Sequence, residues 1–310
     1  MRVGLIGSPE RKEIQRLAIR LDERGAEGVV FDPRGEARIE MTPTSERLDD
    51  VDLARISAFY VADLALPGVR TNTDGSVDED SLRVSQRRLV AWNTLFARLG
   101  KRCRVVNPPS TWELHGLKPF ENSVHHRLGL RAPWTLATSD PSALLELRRD
   151  ADAWITKGLV GGYTYTTPYA PPAELEQARA QLAEAPRMVQ ERVNGENLRV
   201  YVVDGRALGA AEIVPSSPNE VDSRRNTLRV RRVPLPEAAR RAALAASSHF
   251  GFAFSAVDFL RDTRTGEWAL LECNSAPFFV EYEGTSGIDV SSALADLLTS
   301  RSRKPALQDA

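Results

Sequence analysis

Ser255-Ala-Val-Asp-Phe-Leu-Arg261, then Asp262-Thr-Arg-Thr-Gly266, then Glu267-Trp-Ala-Leu-Leu-Glu-Cys-Asn274 read in succession as a strand, a turn and a returning strand. A hairpin centred on Thr265 sets Asp258 opposite Glu272, and strand alternation brings Asn274 to the same face. Directly opposed carboxylates repel. A hard divalent cation removes that repulsion, and Mg2+ suits a site with few carboxylates plus substrate phosphates. The competing reading is an exposed acidic pair in an ordinary hairpin. The apolar neighbours Ala256, Leu260, Leu270 and Leu271 favour a mostly buried hairpin, whose carboxylates need a partner.

The rest of the chain is an ordinary globular sequence. Its 310 residues are 42% hydrophobic and 27% charged, enough to bury a large core distributed over two or three subdomains. Basic and acidic residues balance at 41 against 42, so no global field recommends nucleic acid or membrane as a partner. The N-terminus turns polar too soon for a signal peptide, and no apolar run approaches a membrane span. Two cysteines, Cys103 and Cys273, outside any metal-spaced cluster fit a reduced cytoplasm. The histidines His115, His125, His126 and His249 show no ligand spacing.

The first hundred residues alternate strand and helix, which implies a parallel sheet. Arg2 to Gly7 reads as a strand, Ser8 as an N-cap, Pro9 as the first residue of a helix buried along Ile14, Leu17, Ala18 and Leu21, and Gly28 to Phe31 as the next strand. The Gly4 to Gly7 turn lacks the spacing of a nucleotide fingerprint. Residues 70 to 86 read as a surface loop, Ser85 to Leu99 as a helix and Arg102 to Val106 as a strand.

Several stretches resemble one family in its own order, from residue 107 onward. Val257-Asp-Phe-Leu-Arg261 followed by Leu271-Glu-Cys-Asn-Ser-Ala-Pro277 and Thr285-Ser-Gly-Ile-Asp289 is similar to the metal-binding end of the ATP-grasp ligases. The likeness is to the branch that modifies ribosomal protein S6 (RimK-like) and to related peptide-modifying ligases. It implies an α/β ATP-grasp fold of three subdomains with ATP between the central and last ones. The corresponding boundaries are 1–109, 110–185 and 186–299, with a disordered tail at 300–310.

The resemblance also implies roles. Lys118, opening a helix before Leu128-Gly-Leu-Arg-Ala-Pro133, and Lys157, ending the strand from Ala153, match the two nucleotide lysines. Gly161 to Thr167 occupies the place of the phosphate lid, though its Tyr and Thr content also suits a plain hairpin. Met188 to Val193 matches the adenine hinge, with backbone contacts from Gln190 to Val193 and Glu191 near the exocyclic amine. In Gly195-Glu-Asn-Leu-Arg199 the ribose-binding acid is Glu196, one place early, with Asn197 in the usual position. Arg199 neutralises phosphate oxygens. Of the arginines after Asp222, Arg224 or Arg225 is the anion clamp, and the others are a solvated edge. Asp258, Glu272 and Asn274 hold Mg2+.

The activity so implied is an ATP-dependent, ADP-forming carboxylate-amine ligase working through an acyl phosphate on an amino acid or peptide. Its partners would be small-molecule or peptide carboxylates and amines, with self-association left open. A nucleotide-binding regulator without turnover and a kinase-like phosphotransferase remain as alternatives.

Overall fold

The computed structural model describes all residues except 35–36, 65–68, 109–110, 112–116, 148–149, 151, 160–164, 216–227 and 301–310. The expected disordered tail therefore lies, apart from Ser300, outside the described residues. The chain opens with strand β1 (Arg2–Ile6), helix α1 (Lys12–Asp22) and strand β2 (Glu27–Phe31). After a small antiparallel sheet of β3 (Ile39–Met41), β4 (Glu46–Leu48) and β5 (Val51–Asp52) come β6 (Ala58–Val61), α2 (Glu79–Gly100) and β7 (Arg104–Val106).

The first main sheet is parallel, in the order β2-β1-β6-β7. β1 is apolar from Val3 to Ile6 because both its faces are covered. Ile14, Leu17 and Leu21 of α1 pack with Val3 and Leu5 on one side, while Trp92, Leu95, Phe96 and Leu99 of α2 pack with Ile6 and Phe59 on the other. Because β2 and β6 leave β1 on opposite sides, the topological switch point of the sheet lies at the carboxyl ends of β1 and β6.

Two helix starts differ from the sequence reading. The Ser8 hydroxyl accepts the Glu10 N–H (3.2 Å) in a local turn instead of capping a helix, and α1 begins at Lys12. α2 begins at Glu79 rather than Ser85, because the Asp78 carboxylate accepts the N–H groups of Asp80 (3.0 Å) and Ser81 (3.1 Å). Of the run 70–86 read as loop, residues 70–78 remain outside helix, and those from Glu79 on form the capped start of α2.

The middle region holds α3 (Lys118–Arg127), β8 (Thr135–Thr138), α4 (Pro141–Leu145), β9 (Trp154–Lys157), β10 (Thr167–Pro168), α5 (Leu175–Gln181) and β11 (Arg187–Glu191). Its antiparallel sheet runs β10-β9-β11-β8. Val189 packs with Leu144, Leu147, Tyr169 and Ala178 in a small core of its own. The opposite face carries Ile155, Lys157, Met188 and Gln190, which register and alternation place together. Since β11 belongs to this sheet, the chain passes to the last region after Glu191 and not at residue 186.

The last region comprises β12 (Gly195–Val203), β13 (Arg206–Pro215), β14 (Leu228–Val233), α6 (Glu237–His249), β15 (Phe254–Asp262), β16 (Trp268–Asn274), α7 (Val280–Ser286) and α8 (Val290–Thr299). The sheet is antiparallel, in the order β14-β13-β12-β15-β16. Gly195 opens it because a Cβ there would lie 1.6 Å from the Arg261 carbonyl oxygen. Asp204 and Gly205, at φ 49° and 68°, form the tight turn their dipeptide signals.

One face of this sheet packs Val200, Val257 and Phe259 against α6. From the other, Tyr201, Val203, Phe254 and Phe279 share a core with Val3, Leu5 and α8, so the first and last regions are packed together. Buried Asn107 pins that junction. Its Nδ2 donates to the carbonyls of Phe254 (2.6 Å) and Ser275, and its Oδ1 accepts the Phe254 N–H (2.9 Å). Among the described residues no helix is long and apolar enough to cross a membrane.

Asn107→Ala strands the buried Phe254 N–H, so we expect a loss on the order of 3 kcal/mol, read from the urea unfolding midpoint. An unchanged midpoint would show that these hydrogen bonds do not hold the two regions together.

Candidate active site

The register of three neighbouring strands sets Arg199, Asp258 and Glu272 side by side on the face away from α6. The sequence-derived pairing of Asp258 with Glu272 holds because of a bulge. Nearer the turn Arg261 pairs with Trp268 and Phe259 with Leu270, and the extra residue Leu271 restores the Thr265-centred register at the site. Asn274, opposite Ala256, joins the same face.

Repulsion between the carboxylates, expected from sequence to require a cation, is already offset by protein groups. Arg199 grips Asp258 through two bonds, Nε to Oδ1 (2.7 Å) and Nη2 to Oδ2 (2.8 Å), and its guanidinium lies 4.6 Å from the Tyr282 ring centroid. Lys118 Nζ stands 3.4 Å from Glu272 Oε2. The Asn274 amide bridges the two acids, 3.2 Å from Asp258 and 3.0 Å from Glu272. Arg199 therefore faces a carboxylate here rather than open space for phosphate. Burial pushes the Asp258 carboxyl up and the Arg199 ion pair opposes it.

Glu121 was missed in the sequence, although it sits one turn beyond Lys118 on α3. Its Oε1 accepts the backbone N–H of Cys273, between Glu272 and Asn274. Burial, then the charge of Glu272, push its carboxyl up to about 8. With Glu121 protonated, Asp258 and Glu272 face three cations, Lys118, Lys157 and Arg199. The ammonium of Lys157, on the middle sheet, acts on both Glu121 and Asp258 and favours their charged forms.

The Lys157 face of the middle sheet and the Arg199 face of the last sheet each carry a buried acceptor with no hydrogen-bond partner among the described residues: Gln190 Oε1 and Asn197 Oδ1. Gln190 is 3% exposed, and its Nε2 donates to Thr135 Oγ1 (2.8 Å). Two expected roles are displaced accordingly. Glu191 points to the opposite face, where it accepts from Arg131 (3.1 Å), Arg264 (2.9 Å) and the Trp134 N–H (3.2 Å) beside a hollow of about 530 Å3. Glu196, out of phase with Arg199, is exposed and 3.5 Å from Arg261. Strand parity gives the cleft Gln190 and Asn197 instead. Val193 is buried between β11 and β12.

Arg224 and Arg225 lie outside the described residues, as does most of the lid, residues 161–164. Thr167 and Pro168 at its far end pair with Thr156 and Ile155, so the segment joins two antiparallel strands. Of the arginines that are described on β14, Arg232 pairs with Ala211, which pairs with Arg199. Arg232 is therefore on the site's face, a position the sequence reading left to a solvated edge.

No protein-family model matches the sequence, and no curated protein matches it either. Solved structures do. PsnB, an ATP-grasp ligase complexed with a phosphomimetic variant of its minimal precursor, Mg and ADP, is 25% identical, with 96% of this chain and 97% of that one covered at a TM-score of 0.79. The macrocyclase MdnC of Microcystis aeruginosa MRC, bound with precursor peptide MdnA, is 20% identical over 97% and 100% of the chains at 0.80. A RimK-domain ATP-grasp protein of Sphaerobacter thermophilus DSM 20745 is 18% identical over 97% and 100% at 0.60. The chain has the ATP-grasp fold.

In this ATP-grasp chain the donors at the site fit Mg2+: two carboxylates and one amide, all able to present oxygen once the Asn274 amide turns over. The partnerless Gln190 and Asn197 acceptors fit a nucleotide's amine and hydroxyl groups.

Asp258→Asn leaves buried Arg199 without its partner and should cost about 3–5 kcal/mol, whereas Glu272→Gln, at a more open position, should change stability little. Equal melting temperatures for the two variants would contradict the ion pair's structural role.

A second expectation concerns His125, which is fully buried, has no hydrogen-bond partner among the described residues at either ring nitrogen, stands 3.7 Å from Glu121 Oε1, and packs edge-on to Phe250. Burial lowers it from 6.5 to about 4. A depressed folded value means stability that is present above the unfolded value and lost as pH falls. His125 should therefore withdraw about 3 kcal/mol between pH 6.5 and 4. His125→Leu should flatten that acid limb in denaturation curves, and an unaltered slope would overturn the assignment.

Proposed function

We propose that this chain is an ATP-dependent carboxylate-amine ligase acting on a peptide. The observation that carries the reading is the row of cations and carboxylates on the last sheet, with partnerless buried acceptors on that face and on the middle-sheet face that bears Lys157. Gln190 Oε1 receives the adenine amine, with Val193 at the hinge, and Asn197 Oδ1 receives a ribose hydroxyl. Lys118, Lys157 and Arg232 attract the phosphates, joined by Arg224 or Arg225. Asp258, Glu272 and Asn274 would hold Mg2+, which when bound would supply charge neutralisation at the phosphates.

The γ-phosphoryl group passes to a substrate carboxylate, giving ADP and an acyl phosphate. The amine then attacks the carbonyl carbon, and phosphate leaves. The chain's own groups position the reactants and balance charge, and no protein nucleophile is needed. The neighbours PsnB and MdnC are complexed with precursor peptides, and a Chryseobacterium gregarium ATP-grasp ligase with a leader and core peptide. These support a peptide substrate, modified or cyclised by the same chemistry. A cytoplasmic setting fits the free, buried Cys103 and Cys273.

With the right carboxylate, ATP and Mg2+, the products should be ADP and phosphate, and hydroxylamine should trap a hydroxamate without the amine. Stoichiometric AMP would overturn the mechanism. ADP with a stable phosphorylated product would make the protein a phosphotransferase, and binding without turnover would make it a regulator.

A further inference from the structure

We propose that Glu121 is a positioning residue of the metal site: its carboxyl, bound to the backbone N–H of Cys273, sets the strand that bears Glu272 and Asn274 against the helix that bears Lys118. The inference rests on the metal assignment within the ligase reading; the clasp between helix and strand is a feature of the fold in its own right.

β16 is the edge strand of the last sheet, so the N–H groups that turn away from β15 need partners elsewhere. The middle region supplies two. The Leu270 N–H donates to the Arg131 carbonyl (2.8 Å), and the Cys273 N–H donates to Glu121 Oε1. Residues three apart share the outer edge because the extra residue Leu271 shifts the alternation by one. At Leu270 the partner is backbone; at Cys273, past the bulge, it is a side chain.

The origin of that side chain gives the bond a further effect. Glu121 is 7% exposed, so its hold on Cys273 is shielded from solvent. Three residues earlier on the same face of α3 stands Lys118, whose Nζ is 3.4 Å from Glu272 Oε2. One helix face thus holds two successive residues of β16, Glu272 by its side chain and Cys273 by its backbone. The flexible stem of Lys118 could follow Glu272 through a small displacement, whereas a backbone bond fixes the strand itself. With Cys273 held, its neighbours Glu272 and Asn274 keep their spacing from Lys118. The helix is anchored in turn, since Val124 packs in the core of the last sheet and Asn122 Nδ2 donates to the Pro133 carbonyl (3.0 Å).

What the bond requires is an acceptor, not a charge. Glutamine carries a carbonyl oxygen on the same stem and accepts the same N–H, while leucine fills the space without an acceptor. Groups that orient metal ligands from behind change metal affinity by about tenfold to a hundredfold when removed, although they touch neither metal nor substrate.

The test measures the affinity of the full chain for ADP by calorimetry, once with EDTA and once with Mn2+, and takes the ratio as the metal-dependent gain. Wild type should show a gain, Glu121→Gln should keep it, and Glu121→Leu should reduce it about tenfold. Glu121→Met, as long as the native side chain and without a strong acceptor, serves the same purpose where leucine disturbs the packing. Asn122→Ala breaks a different buried bond of α3, so it should lower the melting temperature and leave the gain intact. A wild-type gain in the acceptor-free variants, an equal loss in Glu121→Gln, or an equal loss in Asn122→Ala would each overturn the positioning role. A wild type without any gain would remove the metal site and this proposal with it. These measurements need no turnover, so ADP release in the presence of substrate tests the ligase reading separately.

Discussion

The two-pronged ion pair between Arg199 and Asp258 is the constraint on which the site depends. It joins adjacent strands at the middle of the last sheet, and its neighbour in the same row is Glu272. A slip of one residue between β12 and β15 would send Arg199 into the apolar face beneath α6. Replacing such a pair by apolar groups is often neutral or better for stability, so stability alone does not account for it. What it does is oppose the burial that pushes the Asp258 carboxyl up. Asp258 cannot serve a cation without altering what Arg199 holds, which ties any metal at this position to the anion-binding groups around it.

The chemistry of the site was legible because it rests on a hairpin whose turn and period are both written in the residues. Asp258, Glu272 and Asn274 follow from Thr265 as centre, even though the bulge at Leu271 was invisible. Lys118 and Lys157 were found by resemblance, and their proximity to Glu272, Glu121 and Asp258 is a matter of tertiary packing. The errors have one cause. Glu191 and Glu196 were chosen for charge, but a strand assigns function by parity, and each stands one place from the residue that faces the cleft. Knowing that Arg199 faces it would have selected Asn197, by alternation alone. Nothing local foretold that Glu191 would meet Arg131 and Arg264, residues distant in sequence.

The arrangement of cores explains where the cleft forms. The first and last regions share one core through α1, α8 and the underside of β12 and β15, while the middle sheet rests on its own small cluster around Val189. α3 of the middle region joins the core of the last sheet through Val124, while the middle sheet itself keeps a polar face with Lys157 and Gln190. Fusing the two sheets by apolar packing would have buried Lys157 and Gln190 against hydrocarbon. Keeping them apart leaves room for a ligand whose ends differ in polarity.

The partnerless buried atoms mark the same places independently. Among the described residues they occur on Tyr60, Asp63, His125, Gln190 and Asn197. His125 has a local account, because a neutral imidazole packed on Phe250 beside a raised Glu121 can be held by contact alone. Of the other four, Gln190 and Asn197 lie on the faces of the middle and last sheets that carry Lys157 and Arg199, and Tyr60 and Asp63 at the strand ends of the first sheet. Each costs the free protein on the order of 1–3 kcal/mol, and a bound donor recovers it. On Gln190 and Asn197 that cost falls on the two sheet faces that also carry Lys157 and Arg199, so the hydrogen-bond deficit and the charged row mark the same place.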